Sequence, residues 1–464
     1  MENESEENQK MTNAIILAAG QGKRMKSNQA KCLQPVLGKP ILRCITDNLR
    51  KAGIDRIVIV IGFEGDKIKE YFKDEVEYAW QRDQQGTGHA VRQAENLENL
   101  KDEQGKTIVI NGDVPLVKAE TFRRMLKAKD DCDLVLLSTI MEDPERYGRI
   151  IRDQNDDFIK IVETADCDEE EIKIKEINGA IYCFDNAKLW ECLPLLKNNN
   201  KQGEYYLTDV IELFVEKGYK VRADIVKDPW EIMGVDHRMG QEIATKKLQE
   251  EINRKHQNNG VFLVDSSNIY IEEDVVIEND VTICPNVYLR GKTTIKSGAV
   301  IESGSVIVDS IIGENVRIEN SRISDSKIGK GTTVGPYAQL RNNCEIGENC
   351  RIGNFVEMKK AIFGNGSKCA HLSYLGDCVV GEKVNIGCGV VFVNYDGKNK
   401  YQTIVEDGAF IGSNCNLIAP IRVGENALVA AGSTVNQDIP AAAMGIARAR
   451  QVNKEGLGKK FKDK

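Results

Sequence analysis

The 464-residue chain has only four histidines, no C-x-x-C pair, and no apolar segment long enough to cross a bilayer. The last absence argues against stable membrane insertion. Thirteen cysteines, an odd number without metal-type spacing, argue against a disulfide framework or a zinc ribbon. With no signal peptide at the start, they are expected to be free thiols in a reducing cytoplasm. A net charge of -8 argues against a general nucleic-acid binder, so any cationic site must be local.

What remains is ordinary for a globular protein, with 41% hydrophobic and 29% charged residues. The length exceeds one ordinary core and calls for two or three domains. The first ten residues, MENESEENQK, carry four glutamates, and residues 1–12 are expected to form a disordered tail.

Two different periodicities divide the rest. Aliphatic residues recur every sixth position from Ile271 through Ile277, Ile283, Leu289, Ile295 and Ile301 to Ile307. After a slip the beat resumes at Val334, Leu340, Ile346, Ile352 and Met358, and again at Ile411, Leu417, Val423 and Val429. A helix cannot keep a strict six-residue period on one face, and a half-buried strand shows a period of two. A triangular coil can, with one short strand per hexad and three hexads per rung. This predicts a parallel β-helix over residues 260–440, stable only as a stack. By itself such a repeat is a scaffold.

Residues 13–236 alternate apolar runs of strand length, "NAIILAA", "RIVIVIG", "TIVING" and "DLVLLST", with helical patterns such as "PILRCITDNLRKAG". That alternation predicts an α/β domain with a largely parallel sheet covered on both faces. Its ligands belong beyond the carboxyl ends of the strands, where strand order switches. Residues 237–259 are charged, with Ile243, Leu248 and Ile252 near helical spacing, and read as a linker helix.

The first strand runs into Leu17-Ala18-Ala19-Gly20-Gln21-Gly22-Lys23-Arg24-Met25. This turn lacks the Lys-Ser/Thr of a Walker A loop, and Met25 stands where a dinucleotide fingerprint has its third glycine. Its small residues let backbone N–H groups face phosphate oxygens, and Arg24 and Lys31 add full charges. A tight strand-to-helix turn with solvated cations fits the turn alone equally well. Gln81 and "GTGHA" at 86–90 offer an amide and a glycine turn that suit a base edge. Asp113, in "NGDVPL", falls at the carboxyl edge of the sheet, where one or two carboxylates suit Mg²⁺; Asp236 is a second oxygen donor. Taken singly, each acid reads better as a solvated surface group than as a ligand.

In combination, "LAAGQGKRM", Lys31, "GTGHA", "NGDVPL", "YGRI", "IVE", "EIN" and "GEYYLTD" resemble the sugar nucleotidyltransferases. Joined to hexapeptide repeats containing "GNFVEMKKA", "HLSYLGD" and "NYDG", the chain resembles one family closely. That family is the bifunctional bacterial N-acetylglucosamine-1-phosphate uridyltransferase/glucosamine-1-phosphate acetyltransferases. The resemblance implies a Rossmann-like nucleotidyltransferase domain, the linker helix, a left-handed parallel β-helix and a C-terminal arm and tail at 441–464. It implies acetyl-CoA-dependent N-acetylation of glucosamine 1-phosphate. Mg²⁺-dependent uridylyl transfer from UTP to N-acetylglucosamine 1-phosphate then follows, with release of pyrophosphate. It also implies a homotrimer.

Residue by residue, the resemblance places Arg24 and Lys31 on the UTP phosphates. Leu17, Ala18, Ala19, Gly20, Gln81, Gly86 and Thr87 surround the nucleotide, and Asp113 and Asp236 hold the metal. Gly148, Glu163 and Asn178 hold the sugar. In the repeat, His371 is the general base, and Arg341, Lys359, Tyr374 and Asn385 bind the sugar phosphate. Asn394 lies near the reacting carbonyl, and Cys388, Tyr395, Ser413, Ala431 and Arg448 belong with acetyl-CoA. His371 is expected where the repeat pauses after Ile362, and "NYDGKNKYQT" where the coil is interrupted.

Three positions depart from the family pattern. Asp236 replaces an asparagine, adding negative charge near UTP. "EINGAI" lacks the hydroxyl expected beside Asn178. Cys388 replaces an alanine; it reads as a small buried thiol or as a thiol-reagent-sensitive element of the acetyl site. Two other functions compete: a single-activity sugar-1-phosphate nucleotidyltransferase whose β-helix is structural or regulatory, and a non-catalytic assembly protein on a repeat platform.

Overall fold

The computed structural model describes residues 11–461 except Asp55, Asp102, Glu103 and Glu145. The expected acidic tail lies outside the described residues through position 10. Met11 and Thr12, assigned to that tail, instead open the first strand, in register with Gly105 and Lys106. The chain divides into two compact units, 1–248 and 249–464.

In the first unit seven strands form the path of the sheet. Their order is Val221–Ile225, Leu134–Ile140, Glu176–Asp185, Gly105–Asn111, Met11–Ala18, Arg56–Ile61 and Glu77–Trp80. Neighbours run parallel except Glu176–Asp185, which is antiparallel to both strands beside it. The short strands Arg149–Arg152 and Phe158–Val162 branch from it.

Alternation within each apolar run explains why both faces are covered. Ala14, Ile16, Ile57, Ile59 and Ile61 enter one buried cluster, while Ile15, Val58 and Val60 enter the other. The helix Ile41–Lys51 packs Ile41, Leu42, Ile45 and Leu49 on the first cluster, and Gly53 at φ +85 follows its end. The chain builds outward from Met11–Ala18 on one side and then returns to its other side with Gly105–Asn111. The switch in strand order therefore lies between those two strands.

The helix Arg238–Asn258 spans the division between the units. Ala244 and Leu248 pack on the first unit's core. In the second unit, Gln249 and Asn253 donate to the carbonyl of Ile269 at 2.8 and 2.9 Å.

The second unit is a parallel coil in which each strand pairs with the third one after it, giving three sides per rung. Ile271 stacks on Leu289 and Ile277 on Ile295, at the 18-residue interval that three hexads require. The apparent slip after Ile307 is not a break. Ile312, Ile318, Ile323 and Ile328 carry the inward position at spacings of five or six, and pair with Ile295, Ile301, Ile307 and Ile312. One corner residue fewer shortens a side without moving its inward side chain.

The same holds past Met358, where Phe363, Cys369, Leu375, Val380, Ile386 and Phe392 are all buried. Ile362 points outward, and the coil does not pause at His371, which sits inside the strand Lys368–Val380. A cysteine and two phenylalanines at inward positions hid the beat. The interruption at "NYDGKNKYQT" is present: Val380 pairs with Val405 rather than with a residue about 17 later. The coil also continues beyond 440, since Met444–Gly445 pairs with Leu428–Val429.

Corners demand left-handed backbone, which glycine and asparagine tolerate. At one corner Gly298 (φ +74) lies against Asn315 (φ 55), whose amide oxygen would be 2.2 Å from any added Cβ. All thirteen cysteines are unpaired thiols.

Candidate functional sites

At the switch point of the first unit a cavity of about 550 Å³ opens at the carboxyl ends of Met11–Ala18 and Gly105–Asn111. Leu17, Ala18, Ala19, Gly20, Arg24, Lys31, Gln81, Gly86, Thr87, Asp113 and Asp236, gathered from six separate stretches of chain, all line it.

Local structure explains how the turn holds its shape. Gly22 has φ +61, and a Cβ there would meet Lys31 Cβ at 2.6 Å, so only glycine lets the turn close on the lysine. The backbone N–H of Ala30 donates to Glu64 at 2.8 Å, fixing the segment that carries Lys31. Gln84 donates to the Ala19 carbonyl at 2.7 Å. Gln81 is buried, and its amide nitrogen lies 3.1 Å from both the Gly86 carbonyl and His89 Nδ1.

The two acids are brought together by backbone. Val235 N–H donates to the Asp113 carbonyl at 2.8 Å, placing Asp236 beside the end of the Gly105–Asn111 strand. Lys31 pairs with Asp113 Oδ2. Arg24 lies 3.1 Å from Asp236 Oδ2, and Arg146 donates to that same oxygen. The added negative charge of Asp236 is therefore met by two guanidinium groups. Among the described residues no three His, Cys, Asp or Glu side chains cluster as a metal cage. Two adjacent carboxylates do fit a hard divalent cation that keeps water and phosphate oxygens as its remaining ligands.

A second cavity of about 260 Å³ adjoins the first and shares Leu17, Thr87 and Asn111 with it. Gly148, Glu163 and Asn178 line it, together with Arg146, Tyr147 and Thr208, which sequence reasoning did not single out. Asn178 donates to the Tyr182 hydroxyl at 2.7 Å, and its own oxygen accepts from Ala180 N–H at 3.0 Å. Burial raises the Glu163 carboxyl above its usual range, opposed by the Thr208 hydroxyl at 3.3 Å.

The "EINGAI" departure has a steric side. A Cβ at Gly179 would meet Ile232 Cδ1 at 2.6 Å and the backbone Leu137 carbonyl oxygen at 2.9 Å, so a larger residue there would force the backbone to shift. Ala180 takes φ 52 instead, inside the register shift between Asn178 and Tyr182.

In the coil, register arranges the expected residues in columns. Asn354 and His371 are Cα partners, and His371 Nδ1 lies 2.9 Å from Asn354 Oδ1. That oxygen can only accept, so Nδ1 carries the hydrogen and Nε2 is left as the basic nitrogen. Cys369, Ile386, Ile411 and Val429 are consecutive inward residues on one side. The residues two positions later, His371, Cys388, Ser413 and Ala431, therefore form one exposed column along a corner, and Arg448 lies against Gly432 at its end. Cys388 is exposed rather than buried because it sits on this corner beside Gly389.

A second cluster occupies the far edge of the next side. Arg341 and Lys359 are partners in adjacent rungs, and Arg341 pairs with Glu357 at 3.1 Å. Lys359 lies 3.7 Å from Asp377, which accepts from Asn394 at 2.5 Å. The neighbouring Lys400 ammonium, and then burial, hold Lys359 below its usual pKa. At Gly376 a Cβ would meet the Tyr374 hydroxyl at 2.4 Å and Asn394 Nδ2 at 2.7 Å, so glycine lets those two groups converge.

Asn385 does not join this group. It lies on the preceding side, paired with Lys368 and Phe410. Tyr395 is exposed, with its hydroxyl on the Gly397 carbonyl at 2.7 Å. No helix among the described residues is long and apolar enough to cross a membrane.

Comparison with known proteins adds lineage to this geometry. Residues 14–155 match the MobA-like NTP transferase domain. Residues 274–309 and 325–360 match the bacterial transferase hexapeptide, and 402–437 the hexapeptide repeat of succinyl-transferase. The bifunctional protein GlmU of Clostridioides difficile (strain 630) is 48% identical over 453 residues, covering 97% of this chain and 98% of that protein. Its counterpart in Geobacillus sp. (strain WCH70) is 48% identical, with 95% and 96% covered. That of Listeria monocytogenes serotype 4a (strain HCC23) is 46% identical, with 96% and 98% covered.

Proposed function

The chain belongs to the family of the bifunctional GlmU proteins, and from that premise we propose how its two units divide the synthesis of UDP-N-acetylglucosamine. The observation that carries the reading is the pair of adjoining cavities at the switch point, one lined by cations and acids and the other by a carboxylate and amides.

The larger cavity receives UTP. Its phosphates lie against the glycine turn, Arg24 and Lys31, and its base lies against Gln81, Gly86 and Thr87. The smaller cavity receives N-acetylglucosamine 1-phosphate against Gly148, Glu163 and Asn178. The attacking phosphate oxygen already carries charge, so no base is needed. The residues align the two anions and neutralise them while pyrophosphate leaves. Asp113 and Asp236 hold Mg²⁺, which supplies further charge neutralisation on the phosphates.

The coil acetylates glucosamine 1-phosphate. His371 Nε2 takes the proton from the attacking amine, with Asn354 fixing the ring through Nδ1. Arg341, Lys359 and Tyr374 hold the sugar phosphate, and Asn394 faces the thioester carbonyl. Acetyl-CoA extends along Cys388, Ser413 and Ala431 toward Arg448.

Asn385 stands on a different side of the coil from Lys359, so a complete site calls for more than one chain. Tyr337, Phe355 and Leu372 support a homotrimer: exposed by 56%, 55% and 59%, they present an apolar column beside His371. Tyr337 and Phe355 stack at 5.5 Å, and all three have positive φ.

Two assays on the intact chain test the reading: pyrophosphate release from UTP with N-acetylglucosamine 1-phosphate, and thiol release from acetyl-CoA with glucosamine 1-phosphate. Both are expected. Pyrophosphate release without thiol release would instead leave the coil as a scaffold.

A further inference from the structure

Arg146 lines the smaller cavity, and its guanidinium donates to Asp236, which lines the larger one. It is the one cationic side chain on the smaller cavity among the described residues. Among the described residues the only other charged group lining it is the Glu163 carboxylate. A sugar 1-phosphate entering that cavity must bring its phosphate to the wall the two cavities share, because the bond to the nucleotide forms there. That phosphate needs a cation, and Arg24 and Lys31 belong to the nucleotide's side.

We propose that Arg146 binds the phosphate of the incoming sugar 1-phosphate, and that Asp236 holds it ready at the mouth of the sugar cavity. This rests on the uridylyl-transfer reading above and names one more residue for it.

Three features favour a substrate role over a fixed structural bridge. The Arg146 side chain is 40% exposed, so its pairing with Asp236 is solvent-screened and readily exchanged. Asp236 is only 9% exposed and offers the same oxygen to Arg24, so it aims two guanidinium groups at one junction without needing both. A guanidinium fork matches phosphate oxygens better than an ammonium does. The carboxylate at 236 gives both arginines a charged anchor before substrate arrives.

Steady-state kinetics of the intact protein test this. Arg146→Gln is expected to raise KM for N-acetylglucosamine 1-phosphate about tenfold to a hundredfold, the loss expected of a charge-assisted contact, while KM for UTP changes less than about twofold. Arg146→Lys should recover part of the loss. A purely structural bridge would lower kcat or raise both KM values together. That result, or an unchanged KM for the sugar phosphate, overturns the assignment. Wild-type protein that transfers no uridylyl group would overturn the underlying reading as well. Active wild type with an indifferent Arg146→Gln would overturn this assignment alone.

Discussion

The two units solve the same problem, gathering polar groups around an anion, by opposite routes. In the sheet unit, groups distant in sequence converge at strand ends, and the result is a pair of enclosed cavities. In the coil, every rung presents the same positions outward, so His371, Cys388, Ser413 and Ala431 line up merely because they share a phase of the repeat. An open sheet concentrates a site within one chain. A coil lays a site out along its surface and needs something laid against it to close the pocket.

The largest expected effects separate the units. Asp113→Ala should abolish uridylyl transfer while acetyl transfer continues. His371→Ala should do the reverse, lowering acetyl transfer about 10²- to 10⁴-fold. Assaying both reactions on both variants checks this, and cross-loss in either would break the division of labour.

A stability contrast comes next. Leu340→Ala removes a fully buried side chain stacked between Ile323 and Met358 and should cost about 2–5 kcal/mol. Because rungs touch only their neighbours, the loss should appear as local hydrogen exchange in adjoining rungs, with the sheet unit unchanged.

Charge burial distinguishes the sheet unit further. Burial, then Glu212 and Glu163, push the Asp209 carboxyl up to about 6. Its folded value exceeds its unfolded one, so the folded state binds more protons across the interval between them. Stability should therefore fall as pH rises from about 4 to 6 and then level off. Asp209→Asn should flatten that slope in thermal melts at pH 4.5 and 7.

The smallest effect concerns Ala180 at φ 52. Ala180→Gly should stabilise the sheet unit by about 1 kcal/mol by removing the left-handed penalty, read from its denaturant midpoint.

Much of this was legible in the chain. The strand runs and the six-residue beat identify two units and two sheet types, because side-chain periodicity reports which faces are buried. "NGDVPL" and the glycine turn mark the cavity only in combination, because either motif alone also fits a structural turn or a solvated surface. The continuation of the coil through Ile312–Ile328 was not legible, since five-residue sides break the beat while preserving the stack. Nor was its passage through His371, where Cys369 and Phe363 replace aliphatics. Whether Cys388 is buried or exposed was not legible, because a corner and a side look alike without register.

Periodicity alone thus determined the order of the units and the layering of the sheet, since each depends on spacing along one strand. Tertiary structure decided the rest. It set Arg146 and Arg24 on one oxygen of Asp236, joined the smaller cavity to the larger one, and put Asn385 on a different side from Lys359. Those meetings are between residues far apart in the chain, and no local spacing rule encodes which distant groups the folded backbone brings within reach of one another.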